Sequence, residues 1–380
     1  MSNVVTKGKV LFQQQWQSNL SEYITKVVWS LDGLLAVSSA AGEVIIWKGD
    51  SLVALLPAGL VSVDCLAFSS DGKFLAAGGQ DGKVRVWSIL STSVQKEAKL
   101  IATMDNGSTW VDKLAWSPSC NHLAFSLGRY VKIWDAYSQS VITTLPFDKS
   151  SVLDLVWRPN GKSIAIAGNG GVKIWSTQNW DAEPFVMNTS SASMVIAWSG
   201  DSKYIASGNL ENTLTVLKYG SPHPWVMRGF SGRISALAWS QQLSSNNAPV
   251  LVASSGIGIV VLKKKFNDKD GWNDHILNFH KRKIRDLEFH PHGKLLASAA
   301  DDGWLCLWTK AEQVGTIAKQ LGQILKGVSG GFSCLNWSHD GQKLAAGGKN
   351  GELIVWSKSK ALVPRNGKIE TIASIGLDNI

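Results

Sequence analysis

The chain contains 380 residues and carries a formal net charge of +9, from 38 basic and 29 acidic side chains. This length suits two ordinary domains or one large repeat architecture, and the basic residues form no long block that would by itself indicate an anionic partner. Residues 1–15 lack the apolar core of a signal peptide, and no run of about 18 apolar residues is present to cross a membrane.

A short apolar motif recurs along the chain and ends each time on an aromatic residue, as in LAF at 66–68 and LVW at 155–157. We call this last residue the landmark, and successive landmarks are 39 to 50 residues apart. The eight landmarks are Trp29, Phe68, Trp116, Trp157, Trp198, Trp239, Phe289 and Trp337. Such spacing predicts eight copies of one structural unit.

Each landmark is followed by a turn, a second apolar run and a third apolar run. The turn usually contains Ser and then Asp-Gly or Asn-Gly, as in SSDG at 69–72. The third run closes on Trp47, Trp87, Trp134, Trp175, Trp308 and Trp356, and the fifth and sixth copies have Leu217 and Leu262 there. Alternating apolar runs separated by tight turns predict antiparallel strands. A fourth, outer strand is predicted after each third run.

The outer strand of the eighth copy has two candidates. The first is the N-terminal segment 9–14, which would close the ring by pairing the start of the chain with the last copy. The second is the C-terminal segment 368–375. We favour the N-terminal strand because residues 14–23 then lead directly into Ile24, which leaves 358–380 as a C-terminal tail. Two polar insertions, 241–249 and 263–273, are predicted to form surface loops.

The repeat resembles the WD-repeat β-propeller family over nearly the whole chain. A period of about 40–45 residues with four strands is typical of propellers, Trp134-Asp135 is a literal Trp-Asp pair, and His280 matches the family's histidine position. The resemblance implies an all-β fold in which 1–380 form a single closed propeller of four-stranded antiparallel blades. Eight blades are expected. Seven would result if the fifth or sixth copy, without the third-run Trp, failed to form a full blade.

The resemblance also implies a hydrogen-bonded linkage inside a blade, made by a His, a Ser or Thr, an Asp and the third-run Trp. The seventh copy offers a near-complete set, His280, Ser298, Asp301 or Asp302, and Trp308. The other copies lack the His. Apolar packing between blades is therefore expected to carry more of the stability.

Propellers bind partners at the central top face, beside the start of each inner strand. By register, the residues predicted to bind a partner there are Tyr23, Asp64, Trp110, Asp112, Met194, Arg233, Lys283 and Arg285. Two acids and an aromatic residue would then lie opposite three cations. This predicts a polarised surface, anchored by Trp110, that grips a peptide or protein. The alternative is that Trp110 packs over blade edges and that the charges are simply solvated.

These features favour a non-catalytic scaffold for protein partners, cytoplasmic, and either a monomer or a subunit of a larger complex. One alternative is an anionic-surface module for lipid or nucleic acid, using Lys281, Arg282, Lys283, Arg285 and the lysines at 263–265. Its signal is weak, since aromatic interleaving is slight and a paired-Arg phosphoinositide motif is missing. The other alternative is a metal-dependent propeller hydrolase.

A metal site is suggested by His275, His280, His290 and His292, which fall within eighteen residues, and Asp64 and Asp112 on adjacent blades could share a cation or act as an acid/base pair. A closed zinc site needs four converging ligands, and the repeat assigns His280 to the blade linkage and His290 and His292 to turn positions. The glycines at 78–82 and 168–171 lie between strands, so they predict hairpin turns rather than phosphate loops. The four cysteines, Cys65, Cys120, Cys306 and Cys334, have no CxxC spacing and are expected to be reduced. We therefore expect no catalytic residue, cofactor or metal.

Overall fold

The computed structural model describes residues 10–49, 51–59, 61–91, 96–244 and 246–359. These residues form eight four-stranded antiparallel sheets. The inner strands contact one another in a closed cycle, with that of the first sheet also touching that of the eighth. The fold is an eight-bladed β-propeller, so the prediction of eight blades is confirmed and the seven-bladed alternative is wrong.

Within each blade the strands are named A to D from the centre of the ring outward. Strands A of blades 1 to 8 are Ile24–Trp29, Val63–Phe68, Leu114–Trp116, Asp154–Trp157, Ser193–Trp198, Leu237–Leu243, Ile284–Phe289 and Phe332–Trp337. Strands B are Leu35–Ser39, Phe74–Gly79, His122–Leu127, Ser163–Gly168, Tyr204–Asn209, Pro249–Ser255, Leu296–Ala300 and Lys343–Gly348.

Strands C are Val44–Lys48, Lys83–Ser91, Tyr130–Asp135, Gly171–Ser176, Leu214–Lys218, Gly258–Lys264, Trp304–Trp308 and Glu352–Lys358. Strands D are Ser51–Leu56, Lys96–Asp105, Ser140–Pro146, Phe185–Met187, Trp225–Met227, Trp272–Asn278, Leu321–Lys326 and, for blade 8, Phe12–Asn19. The described helical structure is a 3-10 turn at Asp268–Asp270 and an α-helical turn at Ile317–Gln320. No helix among the described residues is long and apolar enough to cross a membrane.

The N-terminal segment supplies the outer strand of blade 8. Phe12–Asn19 pairs antiparallel with Glu352–Lys358, so this strand begins later and runs further than the predicted 9–14. Gln323 of blade 7 also holds it, because its side-chain oxygen accepts hydrogen bonds from the N–H groups of Leu11 and Phe12 and its amide donates to Phe12 O. Residue 9, the segment 368–375 and all but the first two residues of the 358–380 tail lie outside the described residues.

Both predicted surface loops are shorter than expected. In blade 6, strand A extends to Leu243, which pairs with Pro249, so the first loop shrinks to 244–248. Strand C reaches Lys264 and pairs there with Trp272 of strand D, so the second loop shrinks to 265–271. The ends of both insertions continue the hairpin ladder, through Leu243 and Pro249 in the first and through Lys263 and Asn273 in the second.

Most of the landmark tryptophans form a hydrogen bond to the preceding blade. In five of the six, the indole Nε1–H donates a hydrogen bond of 3.0 to 3.3 Å to a backbone oxygen of the preceding blade. The pairs are Trp29–Asn336, Trp116–Ala67, Trp157–Ala115, Trp239–Ala197 and Trp337–Glu288. The Nε1 of Trp198 is buried with no hydrogen-bond partner among the described residues, and the Arg158 guanidinium lies 5.3 Å from the centre of its ring.

The third-run residues fill the interfaces between blades. The tryptophans there are buried, and Leu217 and Leu262, which replace Trp in blades 5 and 6, are only 1% and 2% exposed. Leu217 pairs with Ile205 as Trp308 pairs with Leu296. A leucine therefore fills this position without loss of the blade.

Candidate partner-binding face

The inner strands of five blades begin with a β-bulge at the same end of the ring. The ladder between strands A and B skips one residue in each of these blades, namely Thr25, Asp64, Met194, Arg285 and Ser333. We call this end, which includes the D-to-A and B-to-C connections, the top face. A bulge bends its strand and re-aims the side chain of the extra residue, and three of these residues belong to the predicted partner-binding set.

Small side chains at these positions bind neighbouring blades together. The Thr25 hydroxyl donates to Val63 O of blade 2 at 2.5 Å, and the Ser333 hydroxyl donates to Ile24 O of blade 1 at 2.6 Å. Ser235, at the equivalent place in blade 6, bonds to blade 7 in the same way. These hydroxyls have a structural role, and the larger residues of the other blades remain to border the mouth of the channel.

The acidic side of the mouth is a cavity of about 230 Å³ at the inner edge of blades 1 to 4. Its polar lining comprises Asp64, Asp112, Asp154, Lys26 and Lys113. The pKa of Asp112 is raised, because partial burial and the negative charge of Asp64 both disfavour ionisation. The structure thus brings together the two predicted acids of blades 2 and 3. We call this site the acidic cavity, and its carboxylates can accept hydrogen bonds from a cationic group.

Trp110 lies two residues before Asp112, on the connection into blade 3. Its side chain is 54% exposed, so the indole is not covered by the blade edges. The backbone beneath it is fixed, because Val111 N donates to Gly79 O at 3.0 Å and the Val111 side chain is fully buried. Trp110 is therefore a large, exposed aromatic side chain on a fixed backbone, and aromatic residues are enriched among those that dominate binding energy.

The cationic side of the mouth is built from blades 6, 7 and 8. Arg285 forms a two-point ion pair with Asp301, at 2.7 Å (Nε–Oδ1) and 2.8 Å (Nη2–Oδ2), and Lys349 Nζ lies 2.8 Å from Asp301 Oδ1. The pKa of Lys283 is lowered, because it is partly buried and Arg285 and Arg233 place positive charge beside it. We call these five residues the cation cluster. Arg285 is held by its own blade, which the sequence pattern did not reveal.

The remaining predicted residues lie on the same face in different settings. Tyr23 of blade 1 borders the cation cluster; burial raises the pKa of its hydroxyl, with Arg285 and Asp301 close enough to act on it in opposite directions. Met194 is the half-buried bulge residue of blade 5. The lysines at 263–265 do not form the open basic patch suggested for an anionic surface, because Lys264 is 5% exposed and its Nζ lies 2.6 Å from Asp268 Oδ1.

Blade 7 contains a continuous internal linkage. His280 Nε2 lies 2.7 Å from Ser298 Oγ, which accepts a 3.0 Å hydrogen bond from Trp308 Nε1–H, and His280 Nδ1 lies 3.1 Å from Asp302 Oδ2. The acid is Asp302, so the alternative of Asp301 is wrong. Asp301 is one residue closer to strand B and belongs to the cation cluster.

A polar chain that the sequence analysis missed runs along the channel wall through blades 7, 8 and 1. Glu288 accepts hydrogen bonds from Trp337 N–H at 2.9 Å and from Asn336 Nδ2–H at 3.0 Å, and Asn336 Oδ1 accepts one from Trp29 N–H at 3.1 Å. Glu288 and Asn336 occupy the middle position of the three-residue motif that ends on the landmark, where the other six copies have Ala or Val. A polar residue at this otherwise apolar position was the feature of the sequence that could have indicated the polar chain.

The ionisable side chains along this polar chain affect one another's pKa values. Burial, together with the charge of Asp286, raises the pKa of Glu288 to about 8. The channel wall around Lys26 opposes its charged form although its side chain reaches solvent, yet its pKa is raised because Asp286 and Glu288 face it. Asp286 also accepts a hydrogen bond from Leu335 N–H of blade 8 at 3.0 Å. These groups join blades around the channel.

The candidate metal residues have separate partners. His275 Nε2 lies 2.8 Å from Ala311 O and His290 Nε2 lies 3.0 Å from Gly341 O. Across the described ranges, no group of three or more His, Cys, Asp or Glu side chains is placed to hold a metal ion. The four cysteines are free thiols, and Cys65, Cys306 and Cys334 are buried.

These features define the molecule as a closed eight-bladed propeller with a charged top face. The model of the WD domain, G-beta repeat family matches residues 53–88, 272–309 and 319–357. Three segments of the chain therefore match the WD repeat, and the described residues form an eight-bladed β-propeller. The model of eukaryotic translation initiation factor eIF2A also matches residues 86–216.

The chain spans less than half the length of the curated relatives described next. The small ribosomal subunit protein RACK1 of Glycine max is 33% identical over 92 residues, which cover 24% of this chain and 26% of that protein. The WD repeat-containing protein AAC3 of Dictyostelium discoideum is 21% identical over 263 residues, 64% of this chain and 45% of that protein. Crystal structures of Sqt1 from Chaetomium thermophilum share the fold, with a TM-score of 0.75 at 16% identity over 89% of this chain and 96% of theirs.

Proposed function

We propose that this propeller is a non-catalytic scaffold that captures a peptide segment of a protein partner on its top face. The observation that carries the proposal is Trp110, an aromatic side chain exposed beside the acidic cavity on a fixed backbone. Large aromatic residues on preorganised surfaces contribute most to binding because they bury much area at little entropic cost. The cation cluster across the mouth gives the same face a second, oppositely charged contact.

Proteins similar to this chain support a role in binding other proteins. WD-repeat proteins such as RACK1 are among the matches, and Sqt1, a fold neighbour, has been crystallised bound to the N-terminus of the ribosomal protein L10. A propeller of this architecture can therefore hold a terminal segment of another protein. We place the scaffold in the cytosol, as a monomer or as one subunit of a larger assembly.

The test compares two exposed aromatic residues on opposite faces. Tagged wild-type, Trp110→Ala and Phe266→Ala proteins are used for affinity capture with mass spectrometry at two salt concentrations. Phe266 is 85% exposed on the loop 265–271 at the bottom of blade 6, so it controls for loss of any exposed aromatic ring. Trp110→Ala is expected to weaken capture of partners by about 2 kcal/mol without lowering the melting temperature.

Unchanged capture by Trp110→Ala, or equal losses in both variants, would refute the top face as the binding surface. Capture that disappears steeply with salt and returns nucleic acid rather than protein would instead favour an anionic-surface module. Retention across the same salt range is expected for a peptide held by an aromatic anchor.

A further inference from the structure

Positive charge at the cation cluster is incompletely compensated. Arg285 and Lys349 both bind the carboxylate of Asp301. Within the part of the chain that the structure describes, Arg233 and Lys283 have no carboxylate at ion-pair distance. Four cationic side chains and one carboxylate therefore leave three positive charges that the blades themselves do not neutralise.

The backbone of blades 6 and 7 holds two of these cations side by side. Gly232 packs against Gly256 so closely that a Cβ at Gly232 would come within 3.0 Å of the Gly256 Cα. Gly256 O in turn accepts a hydrogen bond from Ile284 N–H at 3.1 Å. Arg233 and Lys283 each adjoin one of these contacts in sequence, so their side chains start from neighbouring points of the backbone.

Blade 8 packs against blade 7 beside Asp301 and adds Lys349 to the cation cluster. Asp301 N–H donates to Lys283 O at 2.9 Å, and Lys349 N–H donates to Gly331 O at 3.0 Å. A Cβ at Gly331, whose φ is +90°, would lie 2.7 Å from the Asp301 Cα, so only glycine permits this approach. The close packing brings Lys349 and Arg285 onto the same carboxylate.

Holding like charges together disfavours the charged state unless an anion joins them. The pKa of Lys283 is lowered by partial burial and, beyond that, by the positive charges of Arg285 and Arg233. Asp301 already engages Arg285 and Lys349, so among the described residues Arg233 and Lys283 are the cations of the cluster that have no carboxylate partner. The backbone contacts described above hold these two side by side, ready for an external counter-charge.

We infer that the cation cluster is a subsite for an oxyanion carried by the bound peptide, either the carboxylate of Asp or Glu or the phosphate of a phosphorylated Ser. The inference rests on the proposed capture of a peptide by the top face and specifies its chemistry. An acidic group of the peptide binds at Arg233 and Lys283, and a basic group fits the acidic cavity across the mouth. The two sites together fix the direction of the peptide.

The experiment measures fluorescence anisotropy with three labelled twelve-residue peptides that share one Gly/Ser/Lys sequence and carry a central Ser, Asp or phosphoserine. Each is titrated with wild-type protein and with Arg233→Glu/Lys283→Glu. The control is Lys162→Glu/Lys269→Glu, which changes net charge equally at exposed positions on the opposite face. Arg233→Ala/Lys283→Met is a milder second pair in case charge reversal prevents folding, and melting temperatures are recorded throughout.

We expect the Asp or phosphoserine peptide to bind wild type about tenfold more tightly than the Ser peptide, as for one or two charge-assisted hydrogen bonds. The cluster variants should lose that preference and the control should keep it. Whichever of the two acidic peptides binds more tightly identifies the source of the oxyanion.

Three results would overturn the inference. The first is an equal loss in the control variant, which would mean non-specific charge attraction. The second is tighter binding of an RNA oligonucleotide or of phosphatidylserine vesicles that is lost in the same cluster variants. The third is a wild-type protein that does not distinguish the three peptides. If Trp110→Ala still abolished partner capture in that last case, the proposed function would stand and only the oxyanion subsite would fail.

Discussion

Glu288 makes the stability of the ring depend on pH in a way that one substitution can test. Its carboxyl group accepts hydrogen bonds from Trp337 N–H and Asn336 Nδ2–H, and it lies in the channel wall with Asp286 and Lys26. Burial and the charge of Asp286 raise the pKa from 4.5 to about 8. Glu288→Gln removes the titration and keeps a side chain of similar shape, but its NH2 group cannot accept, so one of the two hydrogen bonds is lost at every pH.

The sign follows from the number of protons bound in each state. Between pH 4.5 and 8 the folded protein keeps a proton on Glu288 that the unfolded chain has lost, so the free energy of unfolding falls as pH rises through this range. The full shift corresponds to an upper limit of about 5 kcal/mol. Because Glu288 is only half-buried, screening by solvent in the channel reduces the expected effect to about 1–3 kcal/mol.

The assay is urea denaturation followed by tryptophan fluorescence at pH 4, 5, 6, 7, 8 and 9. Near pH 4 the variant should be no more stable than the wild type, because Glu288 then keeps its proton in both the folded and the unfolded chain. Between pH 4 and pH 9 the wild type should lose about 1–3 kcal/mol of stability relative to the variant. Glu211→Gln, at an exposed position, controls for the change in net charge. Parallel pH profiles for wild type and Glu288→Gln would refute the assignment of the slope to this residue.

Three further predictions concern the contacts between and within blades. Trp157→Phe should cost about 1–2 kcal/mol more than Trp198→Phe, since the first loses an indole hydrogen bond to the preceding blade and the second has none to lose. Thermal unfolding compares the two variants, and equal costs would contradict a stabilising role for that hydrogen bond. Ser298→Ala should destabilise the protein by about 2–3 kcal/mol by leaving two buried donors or acceptors unpaired, and a loss under 0.5 kcal/mol would mean that the linkage is dispensable. Gln323→Leu should increase proteolysis near the N-terminal strand, as judged by limited digestion, with no change expected in cleavage elsewhere.

The architecture could be predicted from the sequence because the same packing requirement, an aromatic or large apolar residue between blades, recurs in all eight copies. Each landmark aromatic packs between blades, and the preference for Trp over Phe reflects the indole hydrogen bond to the preceding blade. Replacement of the third-run Trp by Leu217 or Leu262 did not remove a blade, since apolar volume rather than the indole is what that position requires. Strand ends were less predictable, because hairpin pairing extends through polar residues at 263–264 and 272–273.

The sequence predicted which residues lie on the top face, but it did not predict which side chains contact one another there. Register placed Asp64 and Arg285 at the mouth, but the bulges that aim them have no distinct sequence signal. The partners of two adjacent acids, Asp301 and Asp302, depend on which way each side chain turns at the end of strand B, and sequence does not determine this. The polar chain through Glu288 depends on contacts across three blades.

The most direct test of the central claim is site-specific photo-crosslinking at the two exposed aromatic positions. A benzophenone amino acid is introduced at Trp110 in one protein and at Phe266 in another, and each is irradiated in cells that express it. Binding at the top face predicts discrete protein adducts from position 110, reduced by Arg233→Glu/Lys283→Glu, and none of the same mass from position 266. Adducts from position 266 alone would contradict the account and place the partner on the opposite face.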